Sequence, residues 1–251
     1  MSKQSNGSAD SKIINSEVFE TLDYEWFTFD KINRPIGNAR VQDFIKEFKN
    51  GRNFMMDCPA LVTPDGVVID GQARITALME LGLPVFYRIA MQVGINEVER
   101  IQTNSQWAAG DSLHSNIQKG RKDYIALSKF MDEHNMKVST AVMLLNGGLR
   151  TSLSKINFKY GGFKIKDGEK AARMAKIINE VGAATHFLHN QRFCTAMCKM
   201  AQHRDYSHKR MMKQLEKYRS LAIPQVNADG YRDNLVYIFN YRTRSGKRGF
   251  N

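Results

Sequence analysis

Asp70-Gly71-Gln72-Ala73-Arg74 combines the residue types that a phosphate-binding turn needs. A helix start offers free N–H groups and the positive end of a dipole, and both favour an anion. A glycine ahead of it lets the backbone approach a ligand. An arginine in the first turn can fork onto phosphate oxygens. The same five residues also read as an ordinary strand–glycine–helix connection with Arg74 on the surface.

Two other groups invite a chemical reading. His186, His189, Cys194, Cys198, His203 and His208 fall within one stretch, which raises zinc. The two cysteines are spaced C-x3-C and share a helical face with Met197 and Ala201, so they read as buried thiols and no metal is assigned. Asp57, Asp65, Asp70, Glu80 and Glu99 surround the glycine turn, but their spacing demands no metal ion. No G-x-S-x-G sequence and no Walker box is present, and no catalytic residue is assigned.

The surrounding elements must hold the turn in place. Pro64-Asp65-Gly66 is a turn signal, and Val67-Val68-Ile69 is a β-branched run suited to a covered strand. With Pro59 to Thr63 it makes a hairpin. Ile75, Leu78 and Met79 repeat at helical spacing up to Gly82, which ends the helix. Upstream, residues 18 to 29 are aromatic and β-branched and read as a first strand. Asn38 caps a helix that places Val41, Phe44, Ile45 and Phe48 on one face. Downstream, Pro84 to Ala90 reads as a strand and Ile95 to Ser105 as a helix.

This neighbourhood resembles the G-x-x-R box shared by the ParB N-terminal domain and sulfiredoxin, in the D-G-Q-H-R form common in phage and mobile-element members. The resemblance spans roughly residues 20 to 110 and carries over loosely into the helices that follow. It implies a nucleoside triphosphate, CTP or ATP, with or without Mg²⁺. The implied contacts are Asp70, Gly71, Gln72, Ala73, Arg74 and Thr76. A second family motif, E-N-x-x-R, has two competing registers here, one at Glu99 and one at Asn104. Asn104 is preferred because phage members carry an Asn followed closely by Trp, as Asn104 is by Trp107. The family often places His or Arg where this chain has Ala73. Sulfiredoxin's catalytic Cys falls on Gln72, and an amide cannot replace a thiolate nucleophile.

The whole chain has 251 residues, a hydrophobic fraction of 42% and a formal net charge of +12. That charge points to a polyanionic partner, nucleic acid first. With three cysteines and no apolar run near membrane-spanning length, the expected setting is a reducing cytoplasm, without a membrane partner. Residues 1 to 15 read as a disordered polar tail.

From Asp111 onward the pattern turns helical, and Lys137 to Val142 faintly resembles a helix-turn-helix entry. Leu153 to Lys166 reads as an aromatic hairpin set among lysines. The most basic helix, Tyr206 to Ala222, carries Lys209, Arg210, Lys213, Lys217 and Arg219. A basic arm at the end adds Arg242, Arg244, Lys247 and Arg248. These are the expected DNA contacts.

The expected architecture is α+β: a ParB/sulfiredoxin-like domain over residues 16–108, a helical basic domain over 109–242 and a tail from 243. The expected function is nucleotide-regulated DNA binding, with a homodimer or a host protein as further partners. Two alternatives stay open. One is a ParB-like nuclease or nucleotide hydrolase. The other is a phage protein that binds a host factor through a vestigial nucleotide site.

Overall fold

The computed structural model describes residues 17–101, 107–147, 153 and 156–243. The chain divides into two compact units, Met1–Asn104 and Ser105–Asn251. The first is mixed α/β and the second is helical.

In the first unit, β1 (Phe19–Thr21), β2 (Ala60–Val62), β3 (Val68–Asp70) and β4 (Val85–Ile89) form one sheet in the order β1-β4-β2-β3. β2 runs parallel to β4, and the other pairs are antiparallel. Pro64-Asp65-Gly66 closes the β2–β3 hairpin as its turn chemistry predicts. Here Thr63 both accepts from and donates to Val67, which fixes the turn. Alternation sends Ala60 and Val62 into the core against α1 (Asn38–Lys49) and α2 (Gln72–Leu81). α1 buries Val41, Ile45 and Phe48 at helical spacing, but Gly37 rather than Asn38 is its N-cap.

Only three residues of the aromatic segment 18–29 become strand. The rest is used for packing: Trp26 meets the Tyr87 ring at a tilt and Phe27 meets it edge-on, while Tyr24 donates to the Leu83 carbonyl at 2.9 Å. Thr28 bridges to Val67, and buried Asn33 donates to the carbonyls of Val68 and Ile69. Together they cover the outer edge of β3, which would otherwise be open to strand addition. The close approach requires Gly66, where a Cβ would collide with the Trp26 carbonyl. After β4 come a 3-10 turn (Ile95–Glu97) and α3 (Val98–Ile101).

The second unit packs α4 (Ala109–Gln118), α5 (Lys122–His134), α6 (Val138–Leu145), α7 (Gly168–Thr185), α8 (Gln191–Ala201), α9 (His208–Tyr218) and α10 (Ala228–Asn240) around one core. α7, the longest at eighteen residues, is capped by Asp167, which accepts from the Lys170 amide. α8, α9 and α10 are likewise capped, by Asn190, Ser207 and Asn227. α4 starts earlier than Asp111. That carboxylate sits in the first turn and accepts from the Ala108 amide at 2.9 Å. Among the described residues, no helix is long and apolar enough to cross a membrane.

Two expectations for this unit are corrected. Residues 156–166 form no hairpin but a single 3-10 turn, Phe158–Tyr160. The pull comes from buried Tyr124, whose hydroxyl donates to the Phe158 carbonyl at 2.7 Å and accepts from the Phe163 amide. Phe158 and Phe163 are thereby fully buried. The helix-turn-helix entry at Lys137–Val142 also fails. α6 buries six of its eight residues, which leaves no face to enter a groove.

Candidate functional site

The glycine turn joins β3 directly to α2. Gly71 is the N-cap residue with φ +98°, the left-handed conformation that favours glycine. Its missing side chain also serves packing. A Cβ would lie 3.0 Å from the Ala60 Cβ and 3.2 Å from an Arg74 guanidinium nitrogen. Gly71 therefore lets α2 lie close on β2, with Ala60 and the Arg74 guanidinium on the side where a Cβ would stand.

No side chain caps α2. The amides of Gln72, Ala73 and Arg74 precede the first intrahelical bond, from Ile75 to the Gly71 carbonyl, and so remain available to an acceptor. Arg74 is drawn inward, with its side chain 13% exposed. It donates to Asp70 Oδ2 at 3.1 Å and to the Cys58 carbonyl. Asp70 is more open, at 44%. Gln72 is buried. Thr76 turns its hydroxyl back to the Gln72 carbonyl at 2.9 Å and contributes to the helix, not to the turn. Asn104 lies outside the described residues.

The register adds a residue that the motif did not contain. Leu61 pairs with Asp70 on one side and with Arg88 on the other, so the three share one row across β3, β2 and β4. Arg88 Nε is buried without a hydrogen-bond partner among the described residues. An orphaned cationic donor costs free energy unless something accepts from it. The residues around Gly71 thus fit a phosphate group: three open amides, an arginine held by one carboxylate, and a second guanidinium on the same row. Arg88 was not legible before the strand register was known.

The basic helix separates into residues that hold the fold and residues that face solvent. Arg210 belongs to the fold. It donates through Nε to the Phe239 carbonyl at 3.1 Å and through Nη2 to Asn240 and Thr243, and it lies 4.4 Å from the Phe239 ring centroid. Its assignment as a DNA contact is therefore corrected: it clamps the end of α10. Lys209, Lys213 and Lys217 are exposed, recur every fourth residue on one stripe, and form no ion pair among the described residues. Arg219 is exposed and rests against the His186 ring. Arg242 is exposed, with its guanidinium 5.5 Å from the Tyr241 ring centroid. Arg244, Lys247 and Arg248 lie outside the described residues.

The histidine and cysteine stretch resolves into separate structural roles. Cys194 and Cys198 are buried in the bundle. Burial raises the Cys194 thiol to about 11 and pushes Cys198 up as well. His208 bridges the Glu180 carboxylate and the Tyr206 hydroxyl, tying the start of α9 to α7. Burial, and then the Glu180 carboxylate, push the Tyr206 phenol up. Among the described residues no group of three His, Cys, Asp or Glu side chains is placed to hold a metal. A cavity of about 20 Å³ between α6, α7 and α8, lined by Leu144, Ala171, Met174 and Cys198, has room for about one water.

Compared with models of protein families, with curated proteins and with solved structures, the chain finds no match.

Proposed function

We propose that the chain is a nucleotide-regulated DNA-binding protein of the ParB/sulfiredoxin type. The reading is supported by one observation: each unit carries its own cluster of cationic groups. In the first unit it is the uncapped start of α2 with Arg74 and Arg88. In the second it is the stripe of Lys209, Lys213 and Lys217. The two differ in what they can select. Convergent amides and guanidinium groups suit a compact phosphate chain. A line of solvated lysines whose Cβ atoms recur about 6 Å apart suits an extended backbone of phosphates.

Phosphate binding at α2 requires no new backbone conformation. Arg74 exchanges Asp70 for a phosphate oxygen, keeps the Cys58 carbonyl, and brings its charge to the helix start. Arg88 supplies a second cation to the same row. Nucleotide then changes DNA affinity only to the extent that it binds two states of the protein with different affinity.

The test is calorimetric titration of CTP, ATP and GTP with Mg²⁺ into the wild type and Arg74→Ala. The reading expects one base to be preferred and its binding to be lost in the variant. Absence of binding by all three would overturn the nucleotide half of the proposal.

A further inference from the structure

At the C-terminal end of α10 a run of tyrosines ends in an exposed ring, Tyr237. Tyr218 meets Tyr241 with ring centroids 4.8 Å apart and planes at 71°. Tyr241 meets Tyr237 at 5.4 Å and 59°. Tyr237, the outermost, is 54% exposed. Large aromatic side chains in a small unit normally bury their rings. This unit does so with Tyr124, Phe158, Phe163, Phe193 and Phe239, whereas Tyr237 and, elsewhere, Tyr160 keep their rings exposed.

Cations border the run. α9 touches the end of α10 through positions 210, 214 and 218: Arg210 and Gln214 both donate to the Phe239 carbonyl, and Tyr218 meets Tyr241. Lys213 and Lys217 occupy the next stripe of the same helix. On the other side Arg242 stands over the Tyr241 ring. Its φ of +49° is a conformation that glycine or asparagine adopts more cheaply. What arginine adds there is a guanidinium over an aromatic face. The acid nearest in sequence on α10, Asp233, is paired with Arg232 at 3.0 Å. Glu216 is the one carboxylate on α9.

We infer that Tyr237 and Tyr241, flanked by Lys213, Lys217 and Arg242, form a platform for single-stranded nucleic acid. Unpaired bases stack on the exposed Tyr237 ring, which packs against the half-buried Tyr241 ring, while the cations follow the backbone. Base–aromatic stacking needs a free π-face on both partners, which a duplex does not offer along its length. The inference rests on the proposed function insofar as this unit binds nucleic acid, and it specifies which form is bound and where.

The test is fluorescence anisotropy of a labelled 20-nucleotide oligothymidylate, its oligouridylate counterpart and a 20-base-pair duplex, at several salt concentrations. The full-length wild type is compared with Tyr237→Ala, Tyr237→Phe and Lys213→Gln/Lys217→Gln. These side chains are exposed or partly exposed, and circular dichroism checks that each variant folds. Single strands bind more tightly than the duplex. Tyr237→Ala weakens single-strand binding about tenfold or more, since stacking contributes roughly 1–3 kcal/mol per base. Tyr237→Phe, which keeps the ring, leaves it within about twofold. The double lysine variant flattens the salt dependence by about 1.4, at roughly 0.7 per phosphate contact.

Three results would overturn the inference. If the duplex binds as tightly and Tyr237→Ala changes nothing, the platform is wrong while DNA binding stands. If no oligonucleotide binds, the platform and the DNA half of the proposed function fail together. If the tyrosine and lysine variants lose binding only to vesicles containing phosphatidylserine, the surface is a membrane contact.

Discussion

Opposite substitutions of the Asp70–Arg74 pair should move phosphate affinity in opposite directions. In the free protein Asp70 holds Arg74 at 3.1 Å, so an incoming phosphate must displace it. The pair is partly solvated, with Asp70 44% exposed, which limits its strength to roughly 0.5–1 kcal/mol. Asp70→Asn removes that competitor and its repulsion of the ligand, and should tighten binding about two- to fivefold. Arg74→Ala removes the charge-assisted bonds themselves, about 1.5–3 kcal/mol, and should weaken binding roughly ten- to hundredfold. Inorganic triphosphate with Mg²⁺ is the suitable titrant, because it reports the phosphate site without depending on the base. Isothermal calorimetry reads the affinity, and thermal melts followed by circular dichroism confirm that both variants fold. If both substitutions weaken binding alike, the pair is a brace that phosphate leaves intact. If Arg74→Ala is neutral, the arginine plays no part in recognition. Either result refutes the exchange.

Three further outcomes follow from the packing. Arg210→Ala should destabilise the second unit by about 1–3 kcal/mol, whereas Lys213→Ala should stay within about 0.5 kcal/mol; urea midpoints for the two distinguish a fold residue from a surface one. Of the three cysteines, Cys58 is exposed and the other two are buried. Ellman's reagent at pH 8 should therefore titrate one thiol at once and two more only after denaturation; immediate reaction of all three would contradict the buried assignment. Asp123 caps no helix but accepts from the Ile165 amide at 3.2 Å and from Lys164 at 3.1 Å. Desolvation raises its carboxyl, yet these two bonds and the Lys164 charge outweigh it and hold the group below its ordinary value. A depressed carboxylate stabilises above its unfolded pKa, about 4, and loses that contribution as pH falls through the folded one. Asp123→Asn should thus be less stable than wild type at pH 7, with the gap closing below about pH 4 in urea midpoints.

The elements around the glycine turn were legible in the sequence because their signals are local. The β2–β3 hairpin follows from Pro64-Asp65-Gly66, and α2 from its apolar spacing and Gly82. Non-local contacts carry what the sequence hid. Residues 158–163 look like a hairpin by aromatic content, but one tyrosine hydroxyl from α5 draws them inward. Arg210 looks like its lysine neighbours until α10 lies against it. Arg88 joins the turn only through a strand register. Of the tyrosine contacts, Tyr237 and Tyr241 are four apart in sequence, in the last turn and at the C-cap of α10, but Tyr218 meets Tyr241 only in the folded unit. α6 begins after Lys137 with two hydroxyl residues in its first turn, Ser139 and Thr140. Both hydroxyls donate to Gln191 Oε1 on α8, which ties the start of α6 to that helix.

Coupling between the two proposed anion-binding surfaces is the central claim, and it is tested most directly by measuring DNA affinity with and without nucleotide. Anisotropy of a labelled oligonucleotide would be recorded against protein at saturating nucleotide, at the same salt without it, and again with Arg74→Ala. The account predicts that nucleotide changes the affinity about fivefold or more, a coupling of roughly 1 kcal/mol, and that Arg74→Ala removes the change while leaving nucleotide-free DNA binding intact. Equal DNA affinity with and without a nucleotide that demonstrably binds would contradict it.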